Sequence, residues 1–295
     1  MTLSALSAAI SQASGRTFVA HSQEAIGGGC IHQALVLQDG ETRWFVKLNA
    51  PSALAMFEAE SEGLVALAAS GAIRVPQPLC YGEVDGRAYL VMEHLTLRTL
   101  ASADEARVFG QALAALHRHN TAHYGWHRDN HIGATPQSNA THVAWPRFYA
   151  ESRLRPQLRL AAAHGYGGAW IEKGEKLAER LPALFVDYRP TASLLHGDLW
   201  HGNVGVLPDG TPAIFDPAVY YGDRETDLAM TELFGGFPAN FYAAYREAWP
   251  LAEGYETRKT LYNLYHVLNH LNLFGRGYLG QAQRMIDTLL AELGR

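Results

Sequence analysis

The chain has 295 residues, 48% hydrophobic and 18% charged, which is enough apolar side chain for one large domain or two ordinary ones and too much for global disorder. Its 24 Lys and Arg against 29 Asp and Glu leave a net charge of −5, so it lacks the basic footprint of a protein that binds duplex nucleic acid or an anionic membrane surface. No apolar run reaches the roughly 18 residues that would cross a bilayer. The opening MTLSALSAAISQASG has no basic stretch ahead of its apolar residues and does not read as a signal peptide. Leu3, Leu6 and Ile10 fall at helical spacing and predict an amphipathic first helix. The two cysteines, Cys30 and Cys80, form no CxxC, which excludes a disulfide framework and fits a reducing cytoplasm.

Residues 31–38 and 43–48 are rich in β-branched, aromatic and aliphatic side chains and flank Asp39-Gly40, the pattern of a hairpin. Residues 52–69 predict a helix capped by Ser52 and closed before Gly71. Pro76 and Pro78 keep the next segment extended. Residues 79–84 and 88–94 flank Asp85-Gly86 in a second hairpin. Beyond Leu100 the pattern turns helical, with an amphipathic helix over 103–118 and others near 143–163, 168–181, 238–248, 256–274 and 279–293, interrupted by a β-like island at 194–216. This order reads as a small mixed lobe over 1–94, a connector at 95–102 and a larger helical lobe over 103–295, an α+β architecture. His119, His123, His127 and His131 recur every four residues, but Gly125 and Arg128-Asp129-Asn130 interrupt any helix there, so no zinc stripe is predicted.

The strongest chemical signal is LLHGDLWHGNVGVLPDGTPAIFDPA at 194–218. Asp198 and Asn203 stand five apart in a polar turn bounded by apolar strands, and Asp216 follows Ile214-Phe215 thirteen residues after Asn203. Two carboxylates and an amide oxygen are the set that phosphoryl transfer uses: one carboxylate orients and deprotonates an attacking hydroxyl, and hard oxygens ligate Mg2+. Lys47 lies inside the apolar strand WFVKL, where a lysine is costly unless paired; Glu58, Glu60 and Glu62 on the following helix are the candidates. Gly27, Gly28 and Gly29 precede the first hairpin and would let main-chain N–H groups approach a phosphate. Neither GxxxxGK[ST] nor a helix-opening GxGxxG occurs, which excludes P-loop and dinucleotide sites.

HGDxxxxN followed by IxFDP resembles the catalytic and metal loops of the aminoglycoside and choline kinase group, within the protein-kinase-like fold. More narrowly, LLHGDLWHGN with FDPAVYYGDRETDLAM looks like the fructosamine-3-kinase (ketosamine-3-kinase) family, as do GGGCIH, WFVKLN, FEAE, LVMEHL, DNHIGATPQ and NHLNLFGRGYLG. The resemblance spans nearly the whole chain. It implies a two-lobed protein-kinase-like fold with a small antiparallel sheet and one main helix in the N-terminal lobe and a mostly helical C-terminal lobe. It makes Asp198 the catalytic base, Asn203 and Asp216 the Mg2+ ligands, and His196 a scaffold of the loop. Lys47 would hold the ATP phosphates, fixed by Glu60 through the FExE pattern. Gly27, Gly28 and Gly29 would cover those phosphates, with Cys30 at the nucleotide mouth as a candidate redox-sensitive thiol. Met92, Glu93, His94 and Leu95 would be the hinge that meets adenine through its backbone. Trp200 would wall the acceptor sugar, and Asp227 would brace the catalytic loop from the helix that follows. Pro217, directly after Asp216, restricts the backbone against an in/out switch of that aspartate.

The activity so implied is ATP-dependent phosphorylation of the 3-hydroxyl of fructosamine or ribulosamine adducts, carried on small amines or protein lysines, with release of the amine afterwards. A kinase for another alcohol, of aminoglycoside, choline or homoserine type, is the alternative. A nucleotide-binding pseudokinase is a third reading, against which the intact set of Lys47, Asp198, Asn203 and Asp216 argues.

Overall fold

The computed structural model describes residues 3–27 and 32–294. The chain divides into two compact units, one of Met1–Leu100 with Val204–Asp216 and one of Ala101–Asn203 with Pro217–Arg295.

The first unit holds α1 (Leu3–Ser14), β1 (Ser22–Ile26), β2 (Gln33–Asp39), β3 (Thr42–Asn49), α2 (Leu54–Ala69), β4 (Pro78–Val84) and β5 (Arg87–Glu93). The strands form one antiparallel sheet in the order β1-β2-β3-β5-β4. Both predicted hairpins are present. Between β4 and β5, Asp85 (φ 49°) and Gly86 (φ 69°) are both left-handed, as a two-residue turn matching the strand twist requires. Leu6 and Ile10 of α1 are buried with Leu37, Val46 and Val91 of the sheet.

Two features depart from the sequence reading. β1 was not foreseen, because all five of its residues are exposed; with no buried face it has no periodicity to read, and its pairing to β2 makes it a strand at the sheet edge. Ser52 does not cap α2. Pro51–Ala53 form a 3-10 turn first, and α2 begins at Leu54 with no side-chain cap; the fixed φ of Pro51 suits the first turn of a helix, which places Ser52 inside that turn rather than before it. A further hairpin joins this unit, Val204–Val206 paired with Pro212–Ile214. Its backbone is tied on both edges: Val206 N–H donates to the Arg98 carbonyl at 2.8 Å, and Ile214 N–H to the Arg74 carbonyl at 3.0 Å.

The second unit is mostly helical, with α3 (Ala103–His117), α4 (Trp145–Tyr149), α5 (Arg155–Ala163), α6 (Ala169–Arg180), α7 (Glu225–Leu233), α8 (Ala239–Ala248), α9 (Tyr255–Phe274) and α10 (Leu279–Leu293). A capping box starts α3: Glu105 N–H donates to Ser102 Oγ at 3.1 Å and Ser102 N–H to Glu105 Oε2 at 3.2 Å. The helix predicted near 143–163 is three pieces, α4 and α5 separated by a π-helical turn at Ala150–Leu154. α7 has no amphipathic stripe, since Glu225, Thr226 and Asp227 are buried along with Leu228, Ala229 and Met230, so no periodicity marks it and only the family resemblance implies a helix at Asp227. α9 runs through the core against Trp145, Phe148 and Tyr149. Strand Ala192–Leu195 lies between Tyr220–Gly222 and Asn120–Thr121 in a small sheet. α3 ends at His117 and short strands follow, so the four spaced histidines share no helix face. Among the described residues no helix is long and apolar enough to cross a membrane.

Candidate active site

In the first unit the sheet and α2 bring three predicted residues together. Lys47 on β3 is 5% exposed. Its Nζ donates to Glu60 Oε1 at 2.6 Å and also to Asp216 Oδ1. Burial pulls the Lys47 ammonium down, but the Asp216 and Glu60 carboxylates outweigh it and hold its pKa above the usual lysine range. Burial pushes the Glu60 carboxyl up, and Lys47 works against that. Glu58 accepts instead from Tyr81 Oη at 3.3 Å. Asp216 has φ 57°, a left-handed conformation that costs a non-glycine residue about 1 kcal/mol and that concentrates at functional positions. Its side chain remains 46% exposed while Oδ1 is held by Lys47.

Gly27 is exposed and directly follows β1; Gly28, Gly29 and Cys30 lie outside the described residues. Met92 and Glu93 end β5, where they pair with Phe45 and Trp44, and half-buried His94 and Leu95 follow. The Glu93 N–H donates to the Gln77 carbonyl at 2.8 Å, so that group is not a donor available to a ligand. The Glu93 carboxylate accepts from Arg74.

In the second unit, His196-Gly197-Asp198 leaves strand Ala192–Leu195 under tight constraint. Gly197 has φ +85°, and a Cβ there would sit 2.1 Å from the Ala218 carbonyl oxygen, so the position admits only glycine. Asp227 on α7 accepts from His196 N–H at 2.8 Å and from Gly197 N–H at 2.9 Å, which is the brace the sequence suggested. Its Oδ2 also meets His117 Nε2 at 3.2 Å, and His117 Nδ1 meets Tyr245 Oη at 2.8 Å. Burial keeps His117 below its ordinary pKa. A neutral ring that accepts the Tyr245 hydroxyl at Nδ1 carries its proton on Nε2 and donates it to Asp227. Burial would raise the Asp227 carboxyl, but the bond from His117 and the two main-chain donors hold it below the usual carboxylate range. Asp227 is therefore a carboxylate with three donors.

Asp198 is half-buried, and its N–H donates to His196 Nδ1 at 3.3 Å. Asn203 Nδ2 donates to the Asp198 carbonyl at 2.9 Å and to Asp198 Oδ2 at 3.4 Å. With its nitrogen committed, the Asn203 side chain presents its carbonyl oxygen elsewhere. Trp200 is half-buried against His201, with Phe234 at 6.2 Å between ring centroids and His270 of α9 4.7 Å beyond Phe234. The sequence reading missed His117 and Tyr245 as partners of the loop; the 110-residue separation of His117 from Asp227 leaves no local signal.

Two histidines give the protein a predictable acid response. Burial first, and for His32 also the Lys47 charge, lower His32 to about 4 and His266 to about 3. Both are neutral when folded, while the unfolded chain takes up their protons below about 6.5, so stability falls as pH drops from 6.5 toward 4. The expected slope is up to ~1.4 kcal/mol per pH unit for buried His266 and less for half-buried His32. Glu225, raised to about 7 by burial, acts in the opposite sense over the same range, so the measurement is the difference in thermal stability between wild type and His266→Gln, which should show the decline attributed to His266.

The fold is that of the protein-kinase-like phosphotransferases. It is shared with a crystal structure of an aminoglycoside phosphotransferase, a ternary complex with AMP-PNP and hygromycin B, at a TM-score of 0.61 and 15% identity over 97% of this chain and 98% of that one. Sequence comparison narrows the class: residues 2–292 match the fructosamine kinase family. A Synechocystis protein assigned as a ketoamine kinase is 49% identical over 95% of this chain and 94% of its own length. The mouse ketosamine-3-kinase is 36% identical over 89% and 93%. A crystal structure of a Haemophilus somnus 129PT protein assigned to fructosamine-3-kinase superposes with a TM-score of 0.89 at 30% identity, covering 97% of both chains. The chain belongs to the fructosamine kinase family and is a phosphotransferase.

Proposed function

We propose that this chain transfers the γ-phosphoryl group of ATP to the 3-hydroxyl of a ketosamine, a fructosamine or ribulosamine adduct of a small amine or a protein lysine. The observation that carries the reading is Lys47, buried and bonded to Glu60 and Asp216 together, in a chain 49% identical to a protein assigned as a ketoamine kinase. A lysine so fixed offers its charge to anionic phosphates at a set position. The 92–95 segment receives the adenine. Asp198 accepts the proton of the sugar hydroxyl, held in place by its own backbone bond to Asn203. Trp200 offers a ring face to the C–H surface of the sugar. The product is a ketosamine 3-phosphate, which is prone to lose phosphate and release the amine.

The donor chemistry fits Mg2+. Asn203 has its amide nitrogen bound to Asp198, which leaves a carbonyl oxygen, and Asp216 has Oδ1 on Lys47 and a half-exposed side chain, which leaves a carboxylate oxygen; both are hard donors. When bound, Mg2+ supplies charge neutralisation of the phosphates. Asp216→Ala is expected to raise the Mg2+ concentration needed for half-maximal rate and to lower kcat; an unchanged Mg2+ dependence would remove Asp216 from this role.

The test is ATP turnover against free and protein-bound fructosamine and ribulosamine, beside an aminoglycoside, choline and homoserine. Turnover confined to the last three, or Mg·ATP binding with no phosphoryl transfer at all, overturns the reading.

A further inference from the structure

Arg153 is completely buried, and it sits in the π-helical turn at Ala150–Leu154, a rare insertion that recurs at functional sites. Its guanidinium donates to the carbonyls of Ser138 at 2.5 Å and Ser152 at 2.9 Å, and to Asn139 Oδ1 at 2.8 Å. It lies 4.0 Å over the ring of Tyr220 and 4.7 Å over that of Phe148. Among the described residues no carboxylate hydrogen-bonds to it, and its Nε is buried without a hydrogen-bond partner. A buried cation with no counter-ion is costly, and an apolar side chain of similar volume is often as stable or more so. Stability alone therefore does not account for an arginine here.

A donor-only group can, however, set the direction of the amides around it. Arginine accepts no hydrogen bond, so Asn139 must turn Oδ1 toward Arg153. That turns Asn139 Nδ2 toward Asn130 Oδ1, which it reaches at 2.9 Å. Asn130 Oδ1, so occupied, turns Asn130 Nδ2 to the Val219 carbonyl at 2.8 Å. Gln137 Nε2 follows the same sense, donating to Asn130 Oδ1 at 2.9 Å and to the Ala218 carbonyl at 3.1 Å, while its Oε1 accepts from Tyr265 at 2.7 Å. The backbone so seated is the one the catalytic loop rests on: Ala218 N–H donates to the His196 carbonyl at 2.8 Å, and the Ala218 carbonyl is the atom that leaves no room for a side chain at Gly197.

We infer that Arg153 is a positioning residue: it polarises the Asn139–Asn130–Gln137 amide relay, fixes the carbonyls of Ala218 and Val219, and thereby sets the place of Asp198. The inference rests on the proposed kinase reading for its activity readout, and on the loop geometry alone for its second readout.

Asn139→Asp separates positioning from packing. The new carboxylate still accepts from Arg153, and gives it a counter-ion, but can no longer donate to Asn130. The expected result is a folded protein with an ATP dissociation constant within twofold of wild type and kcat lowered ~10- to 100-fold, the scale of a misplaced catalytic group. Hydrogen exchange, which needs no acceptor substrate, should show the Gly197 and Ala218 amides at least tenfold less protected than in wild type. Arg153→Met should reproduce both changes if it folds. Asn139→Asp with wild-type protection at these amides, with kcat within twofold of wild type, or without a stable fold overturns the assignment. Wild-type protein that turns over no ketosamine refutes the ketosamine reading instead, and the exchange result then stands by itself.

Discussion

Asp198→Asn is expected to lower kcat by ~10²–10⁴-fold, the usual worth of a positioned general base, while leaving Mg·ATP affinity and melting temperature near wild type. The reasoning starts from the loop. The strongest contact of Asn203 to this residue is to the Asp198 main-chain carbonyl at 2.9 Å, and the contact to the carboxylate is longer at 3.4 Å. Asparagine keeps the first and can keep the second through its own oxygen. The brace from Asp227 reaches His196 and Gly197, not Asp198. The substitution thus keeps these loop contacts while removing the base, and the loss belongs in kcat with KM for ATP unchanged. Single-turnover rates with a ketosamine, beside equilibrium binding of ATP, measure the two separately. A kcat within tenfold of wild type would take the role from Asp198.

Much of the fold was legible because its signals are local. Asp-Gly turns between apolar runs gave both hairpins, and 3.6-residue periodicity gave α3, α6, α8, α9 and α10 to within a few residues. The candidate site at 194–218 stands out for a similar reason: Asp198, Asn203 and Asp216 are close in sequence, and their types are informative at that spacing. What was not legible depends on burial or on distant partners. β1 lacks a buried face and α7 lacks an exposed one, so neither shows a period. Which of three glutamates meets Lys47 depends on helix phase. The FExE pattern chose Glu60, and the structure puts Glu60 on Lys47 and Glu58 on Tyr81. Arg153 falls inside the predicted helical stretch near 143–163, and nothing in its sequence neighbours reveals that Asn139, fourteen residues upstream, and the rings of Phe148 and Tyr220 enclose it. DNHIGATPQ was noticed as a family motif, but its amides acquire meaning only through the carbonyls of residues 218 and 219.

The largest loss of stability is expected at Asp227. Removing its carboxylate with Asp227→Ala leaves three donors buried and unpaired, the His196 and Gly197 N–H groups and His117 Nε2. Each unsatisfied buried donor costs ~1–3 kcal/mol, and losing one partner of a buried charged network typically costs ~3–5 kcal/mol. That is a large share of the ~5–15 kcal/mol by which a native protein is stable, and it should lower the melting temperature by on the order of 10 °C. Asp227→Asn is not a mild change here. An amide offers one oxygen where two main-chain N–H groups and an imidazole N–H converge, and its NH2 then faces a donor. It should therefore lose about as much stability as the alanine variant, the opposite of what an isosteric swap at an exposed site would do. The pH response fixes the sign independently. The folded pKa of Asp227 lies below its unfolded value, so its stabilisation is fully present above about pH 4 and lost as pH falls through the folded value. The difference in melting temperature between wild type and Asp227→Ala should then be constant from pH 6 to 8 and shrink in strong acid. Thermal unfolding of the two variants and wild type across pH measures all of this, and an Asp227→Asn protein that melts with wild type would show that the loop does not depend on this carboxylate.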